Sequence, residues 1–269
     1  MSVALRPVLL HIAAILSLLP ATLLLLRPRP ERDALLWSAL ALAVAGPTTL
    51  VAVQNAGGWM PSLSGSLWVS VAAAMILFAV VAALNETAWR LLPLLAAYAA
   101  VMGLAGALFA ALPVENLPPA NSAAWLDLHI AVSVATYGLA TIAAVAGITV
   151  LLQERALKRK RSSRLLQSLP AVAEGERLFT SLLATAEVVL GVGVVSGMAT
   201  QYLMSGRLLI LDHKSLFSLL AFVVIGALLW LNWRTGLRGR RATRFVLAAY
   251  LLLTLAYPGV KFVKDVLLS

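Results

Sequence analysis

Residues Trp125 to Glu154 read WLDLHIAVSVATYGLATIAAVAGITVLLQE, and the fold class follows from them. Crossing a hydrocarbon core of about 30 Å takes roughly 20 predominantly apolar residues in an α-helix. This stretch is long enough, and between His129 and Gln153 it carries no formal charge. His129 stands just inside one end, while Arg155, Lys158, Arg159, Lys160 and Arg161 follow the other. Lys and Arg accumulate on the cytoplasmic side of membrane helices. The stretch therefore predicts a membrane span, its orientation and a candidate metal ligand near the outer face.

Composition extends this reading to the whole chain. Of 269 residues, 61% are hydrophobic and 12% are charged. A soluble domain is about half apolar and about a quarter charged, so lipid is the solvent expected here. The net charge of +10 does not read as a nucleic-acid surface, because the basic residues cluster between apolar runs. It reads as topology, with anionic lipid at the basic inner loops as a partner and no nucleic acid. The absence of cysteine excludes disulfides, thiolate metal sites and covalent haem attachment.

Eight stretches are long and apolar enough to span: about 7–26, 34–54, 65–84, 91–112, 125–152, 180–204, 214–233 and 245–264. The first has no small-residue cleavage site and is flanked by Arg6 before and Arg27, Arg29 and Arg32 after, so a retained span is expected rather than a signal peptide. With both termini outside, the inner loops hold 16 of the 21 basic residues. The first two outer loops, 55–64 and 113–124, hold none. The expected fold is all-α: a polytopic membrane helix bundle of about eight helices, one integral membrane domain over residues 1–269, in a bacterial inner membrane. The inner connection 153–179 is expected as a solvated or lipid-surface segment. The Gly-x-x-x-Gly spacing of Gly193 and Gly197, with Gly191 beside it, predicts close helix packing.

The chain has three histidines, His11, His129 and His213, and the charge pattern puts all three at the outer level. For His11 the expected role is structural, a ring hydrogen-bonded to a neighbouring backbone group or hydroxyl. His129 and His213 each stand at a predicted helix N-terminus, whose partial positive charge favours the neutral ring. Neutral imidazole is the metal-ligating form. Two imidazoles without thiolate or carboxylate partners suit low-spin haem iron better than zinc, which takes four ligands. The expected cofactor is a non-covalent haem b held by His129 and His213. Arg207 and Lys214 flank His213 as candidates for the propionates, and Trp125, one turn before His129, is a candidate to face the macrocycle. Trp59 and Trp68 are expected in the interfacial aromatic belt. Glu187, an acid well inside the sixth span, is a candidate for proton or packing duty. No catalytic constellation is visible: there is no Gly-rich phosphate loop, no Ser/His/Asp arrangement and no paired carboxylates in an apolar site.

Three segments carry a family resemblance: LHIAVSVATYGLATIAAVAGITVLLQERALK at 128–158, SGMATQYLMSGRLLILDHKSLFSLLAFVVIGALL at 196–229 and WRTGLRGRRA at 233–242. The chain resembles the cytochrome c assembly (CcsA/CcmC-type) haem-handling membrane proteins, and within them the HemX/YpjD-like branch, over roughly residues 91–264. The resemblance implies that external histidines ligate haem. His129 matches through its Leu-His-Ile-x-x-Ser-x-x-x-Tyr context, and His213 through His-Lys-x-x-Phe-Ser. Haem-ligating synthetase members carry a tryptophan-rich loop ending in Trp-Asp-Pro-Lys-Glu at this position. Here the run is Leu211-Asp212-His213-Lys214-Ser215, and its loop has no tryptophan.

The expected function is haem binding near the periplasmic face, related to haem trafficking or cytochrome c biogenesis, with biogenesis or haem-synthesis proteins as partners. Two other readings stay open: a transporter without bound haem that uses Glu187, and a membrane scaffold or regulator of a haem-synthesis or respiratory enzyme.

Overall fold

A computed structural model describes residues 5–27, 31–56, 62–111, 124–160, 163–206, 212–236, 239–263 and 266. The elements are α1 (Leu5–Leu23, with a 3₁₀ turn to Leu26), α2 (Ala34–Gln54), α3 (Leu63–Leu84), α4 (Leu92–Leu108), α5 (Ala124–Lys158), α6 (Arg164–Ser168), α7 (Val172–Ser205), α8 (His213–Thr235) and α9 (Gly239–Thr254). Beyond α9 the chain continues as a π-helical segment, Leu255–Gly259, and a short helix α10, Val260–Phe262. No strand occurs among the described residues, and eight of the helical segments are long and apolar enough to cross a membrane. This is the all-α polytopic bundle that the hydropathy predicts.

Side-chain caps set several helix starts. Asp33 Oδ1 accepts from Leu36 N–H at 3.1 Å, Ser62 Oγ from Gly65 N–H at 2.9 Å and Asp212 Oδ1 from Ser215 N–H at 2.8 Å. Each satisfies one of the backbone donors that a helix N-terminus leaves open. Gly206 and Gly236 end α7 and α8 with φ of 70° and 62°, the left-handed backbone that glycine adopts without strain.

α5 is the axis of the bundle. Its apolar window is 78% buried within the protein, against 50% for α3 and 17% for α8. The reason lies in its small residues, which let neighbouring backbones approach closely. A Cβ on Gly138 would lie 2.8 Å from Leu77 of α3, and one on Gly147 would lie 3.0 Å from Thr243 of α9. α1 to α4 pack among themselves, α5 packs with α7 and α9, α8 joins α7 and α9, and the α3–α5 contact unites the two groups.

The connection 153–179 is mostly helical: α5 runs on to Lys158, α7 begins at Val172, and α6 lies between them. The Gln153 amide ties this hairpin together by donating to the carbonyls of Leu166 at 2.6 Å and of Leu169 and Pro170 at 3.4 Å. Those polar contacts let the helices continue past the apolar stretch that hydropathy detects. Trp68 is not in an interfacial belt; it is fully buried. Gly103 and Gly106 of α4 open a slot for its ring, since a Cβ on either would lie 2.8 Å from the indole. His11 packs against the same indole with ring centroids 5.7 Å apart, and its Nε2 lies 3.3 Å from the amide nitrogen of Gln54. Its partner is thus a side-chain amide on α2, not a backbone group or a hydroxyl. Trp59 and the loop 113–123 lie outside the described residues.

Candidate functional site

α5, α7, α8 and the segment that follows α9 enclose a cavity of about 390 Å³, which has His129 in its wall. That volume falls in the range of small-molecule and cofactor sites, about 300–1,000 Å³. Two local features open it. Gly193 and Gly197 leave the α7 wall without side chains opposite α5. On the far side Pro258, which has no N–H to give the preceding turn, sits in the π-helical segment Leu255–Gly259. Such wide turns are rare and concentrate at functional sites. This one carries Ala256 and Tyr257 into the lining, with Lys261 of α10 one turn further.

The His129 ring is held in a defined state. Its Nδ1 lies 3.0 Å from Ser196 Oγ, and Ser196 O–H donates to the Gly193 carbonyl at 2.9 Å. A serine has one proton, so its oxygen accepts from His129 Nδ1–H. This assignment makes Nδ1 the protonated nitrogen and leaves Nε2 with the ring's lone pair. An imidazole oriented through one nitrogen with the other available is the usual state of a metal-ligating histidine. The ring also rests on Gly197, where a Cβ would lie 3.0 Å from Cε1. His129 is the sixth residue of α5, beyond the first turn where a helix dipole acts. Ser196 instead fixes the tautomer and orientation of the ring.

The rest of the wall combines apolar side chains (Ile130, Leu190, Val194, Met198, Leu219) with hydroxyl and amide groups and two charged residues, Asp212 and Lys261. Tyr137 leads inward from it. Its hydroxyl lies 3.1 Å from that of Tyr250 and 3.3 Å from Thr254 Oγ1, and the Tyr250 hydroxyl bonds that of Tyr98 on α4. Thr254 gives its own proton to the Tyr250 carbonyl at 2.8 Å. A single ordering, Tyr98 to Tyr250 to Tyr137 to Thr254, then satisfies each phenol proton. The chain joins α4, α5 and α9 behind the cavity.

Not all the predicted site residues gather here. His129 lines the cavity. His213 is the first residue of α8 and exposed; Asp212 and Ser215 on either side of it line the cavity, but it does not. Trp125 is 43% exposed and is not part of the lining. Arg207 lies outside the described residues, and Lys214 is described in its backbone alone. Glu187 lies one turn inward of the lining residue Leu190, beside Gly226 of α8, where a Cβ would lie 3.0 Å from Oε1. Its Oε2 is buried without a hydrogen-bond partner among the described residues. Sequence reasoning missed Ser196, Tyr137 and Lys261. Tyr137 lay in the quoted family motif, Ser196 opened the quoted segment 196–229, and Lys261 fell within the last predicted span, 245–264. No cluster of three or more His, Asp or Glu side chains forms among the described residues.

Bundle and cavity together define a polytopic membrane protein with a chamber between its helices. The chain belongs to the cytochrome c assembly protein family, whose model matches residues 36–268. That family is linked to haem handling. Over 263 residues, 96% of this chain and 97% of the relative, the sequence is 49% identical to an uncharacterized 28.8 kDa protein in the nifR3-like 5′ region of Azospirillum brasilense. It is 28% identical to the inner membrane protein YpjD of Escherichia coli K12 over 189 residues, 70% of this chain and 69% of YpjD. To the protein HemX of Brevibacillus brevis it is 24% identical over 147 residues, 55% of this chain and 54% of HemX. These relatives support the HemX/YpjD-like branch and a multi-pass inner membrane protein. No solved structure matches the chain.

Proposed function

We propose that the protein binds a non-covalent haem b in this cavity and serves haem trafficking or cytochrome c biogenesis. The observation that carries this reading is the His129–Ser196 pair, which turns a lone-pair nitrogen into a ligand position on the wall of a largely apolar chamber. The residues present fit the group: an oriented imidazole for iron, apolar side chains for the macrocycle, and hydroxyl and charged groups at the polar edge. His213, between two lining residues at the start of α8, is proposed as the second histidine that would hold the iron. Trp125, Arg207 and Lys214 are proposed on the same outer rim, the two cations towards the propionates, with both chain termini on the outer side. Bound haem would supply a redox-active iron. The chain's own residues orient His129, exclude water around the macrocycle and hold hydroxyl protons through Tyr137.

The absorption spectrum of the purified protein tests this. Wild type is expected to show a Soret band, His129→Ala to lose most of it, and His213→Ala to shift it to a form with one histidine ligand. A colourless wild type that takes up no added haem, or a wild-type spectrum in both variants, overturns the assignment.

A further inference from the structure

We propose that Lys261 anchors a carboxylate of the cavity's ligand, a role that rests on the haem reading and names the ligand's anionic end. Sequence reasoning placed the propionate cations at Arg207 and Lys214, beside His213. Among the described residues, however, the cation in the cavity wall is Lys261, carried there by α10 after the π-helical turn. It shares the chamber with His129, so one ligand spans both groups: a metal centre at Nε2 and an anion at the ammonium. The side chain is half-buried against an apolar wall, where a lower effective dielectric strengthens a charge pair relative to water.

The other charge in the lining does not compete for this role. Asp212 is itself anionic, and its Oδ1 accepts the Ser215 N–H as the cap of α8. Like charge disfavours a ligand carboxylate beside Asp212. The cavity thereby selects a ligand with an apolar body, a metal that accepts nitrogen and at least one carboxylate. A porphyrin without free carboxylates meets only part of the site.

A titration that blocks the carboxylate chemically separates this role from packing. The full-length protein in lipid nanodiscs is titrated with haem and with haem dimethyl ester, following absorbance, in wild type, Lys261→Met and Lys261→Arg. A charge-assisted hydrogen bond should make wild type prefer haem over the ester by about 10-fold or more. Lys261→Met should lose most of that preference while binding the ester as wild type does, and Lys261→Arg should retain it. Equal weakening of both ligands in Lys261→Met, or an unchanged preference for haem, overturns the anchoring role while leaving haem binding intact. If wild type binds neither ligand, the haem reading itself fails and the anchor with it.

Discussion

His129 Nδ1 meets Ser196 Oγ at 3.0 Å across the α5–α7 interface, between residues 67 apart in sequence. The contact ties the register of two antiparallel membrane helices to the orientation of one imidazole. Because the Ser196 hydroxyl donates to the Gly193 carbonyl at 2.9 Å, its oxygen is left to accept from Nδ1–H, and the wall of the cavity sets the tautomer. A ligand arriving at Nε2 finds the tautomer already selected.

Replacing Ser196 with Ala removes the acceptor that orients His129 and leaves the ring itself in place. Loss of such an outer partner typically weakens metal affinity by about 10- to 100-fold. Haem titration of Ser196→Ala should show a fall of that order with little change in thermal stability. Wild-type affinity in this variant would mean that Ser196 has no hold on the ligand.

Tyr250 is the middle of the hydroxyl chain, with Tyr98 on one side and Tyr137 on the other. Phe at this position leaves the Tyr98 hydroxyl without its acceptor, while Tyr137 keeps Thr254. An unsatisfied buried polar group costs about 1–3 kcal/mol. Tyr250→Phe should therefore lower the unfolding temperature in detergent more than Tyr98→Phe, which removes only the end of the chain. The reverse order would show that the chain is not continuous.

At the start of α2 Arg27 donates two charge-assisted hydrogen bonds to Asp33, at 3.0 and 2.7 Å. With the Leu36 N–H they hold the Asp33 carboxyl down to about 2. The unfolded chain protonates more readily, near the ordinary carboxylate value of about 4. The contribution is thus fully present above that value and is lost as pH falls through about 2. Asp33 is partly exposed, so salt screens the pair and its effect is modest. Amide exchange at the start of α2 should quicken over that window beyond the intrinsic rate change, and Asp33→Asn, which keeps a capping oxygen, should flatten the response. An identical pH profile in the variant would sink the idea.

Much of the fold was legible because a bilayer leaves a chain few choices. Backbone polar groups must be satisfied internally, so each apolar run of sufficient length is a helix. The eight stretches counted from hydropathy correspond to the eight spanning helices, including the one with Pro47 in its interior. Trp68 shows where that legibility ends. Composition places a tryptophan near a span end in the interfacial belt, whereas the slot made by Gly103 and Gly106 belongs to a helix about 35 residues later and buries it. The 153–179 hairpin was legible only as a connection for a similar reason, since the contacts of Gln153 with the carbonyls of 166–170 form only once the chain has turned back.

By itself, the sequence determined that this chain spans a membrane about eight times, that its cations gather between particular spans, and that His129 lies near a helix end away from the main basic block. Those properties depend on local composition and on the rise of a helix through lipid. Tertiary structure decided which side chains share a chamber: it set His129 on Ser196, brought Lys261 into the wall, and left His213 and Trp125 outside the lining. Helix rotation and pairing make that choice. They are set by where glycines and alanines allow close approach between segments distant in the chain, which hydropathy does not encode.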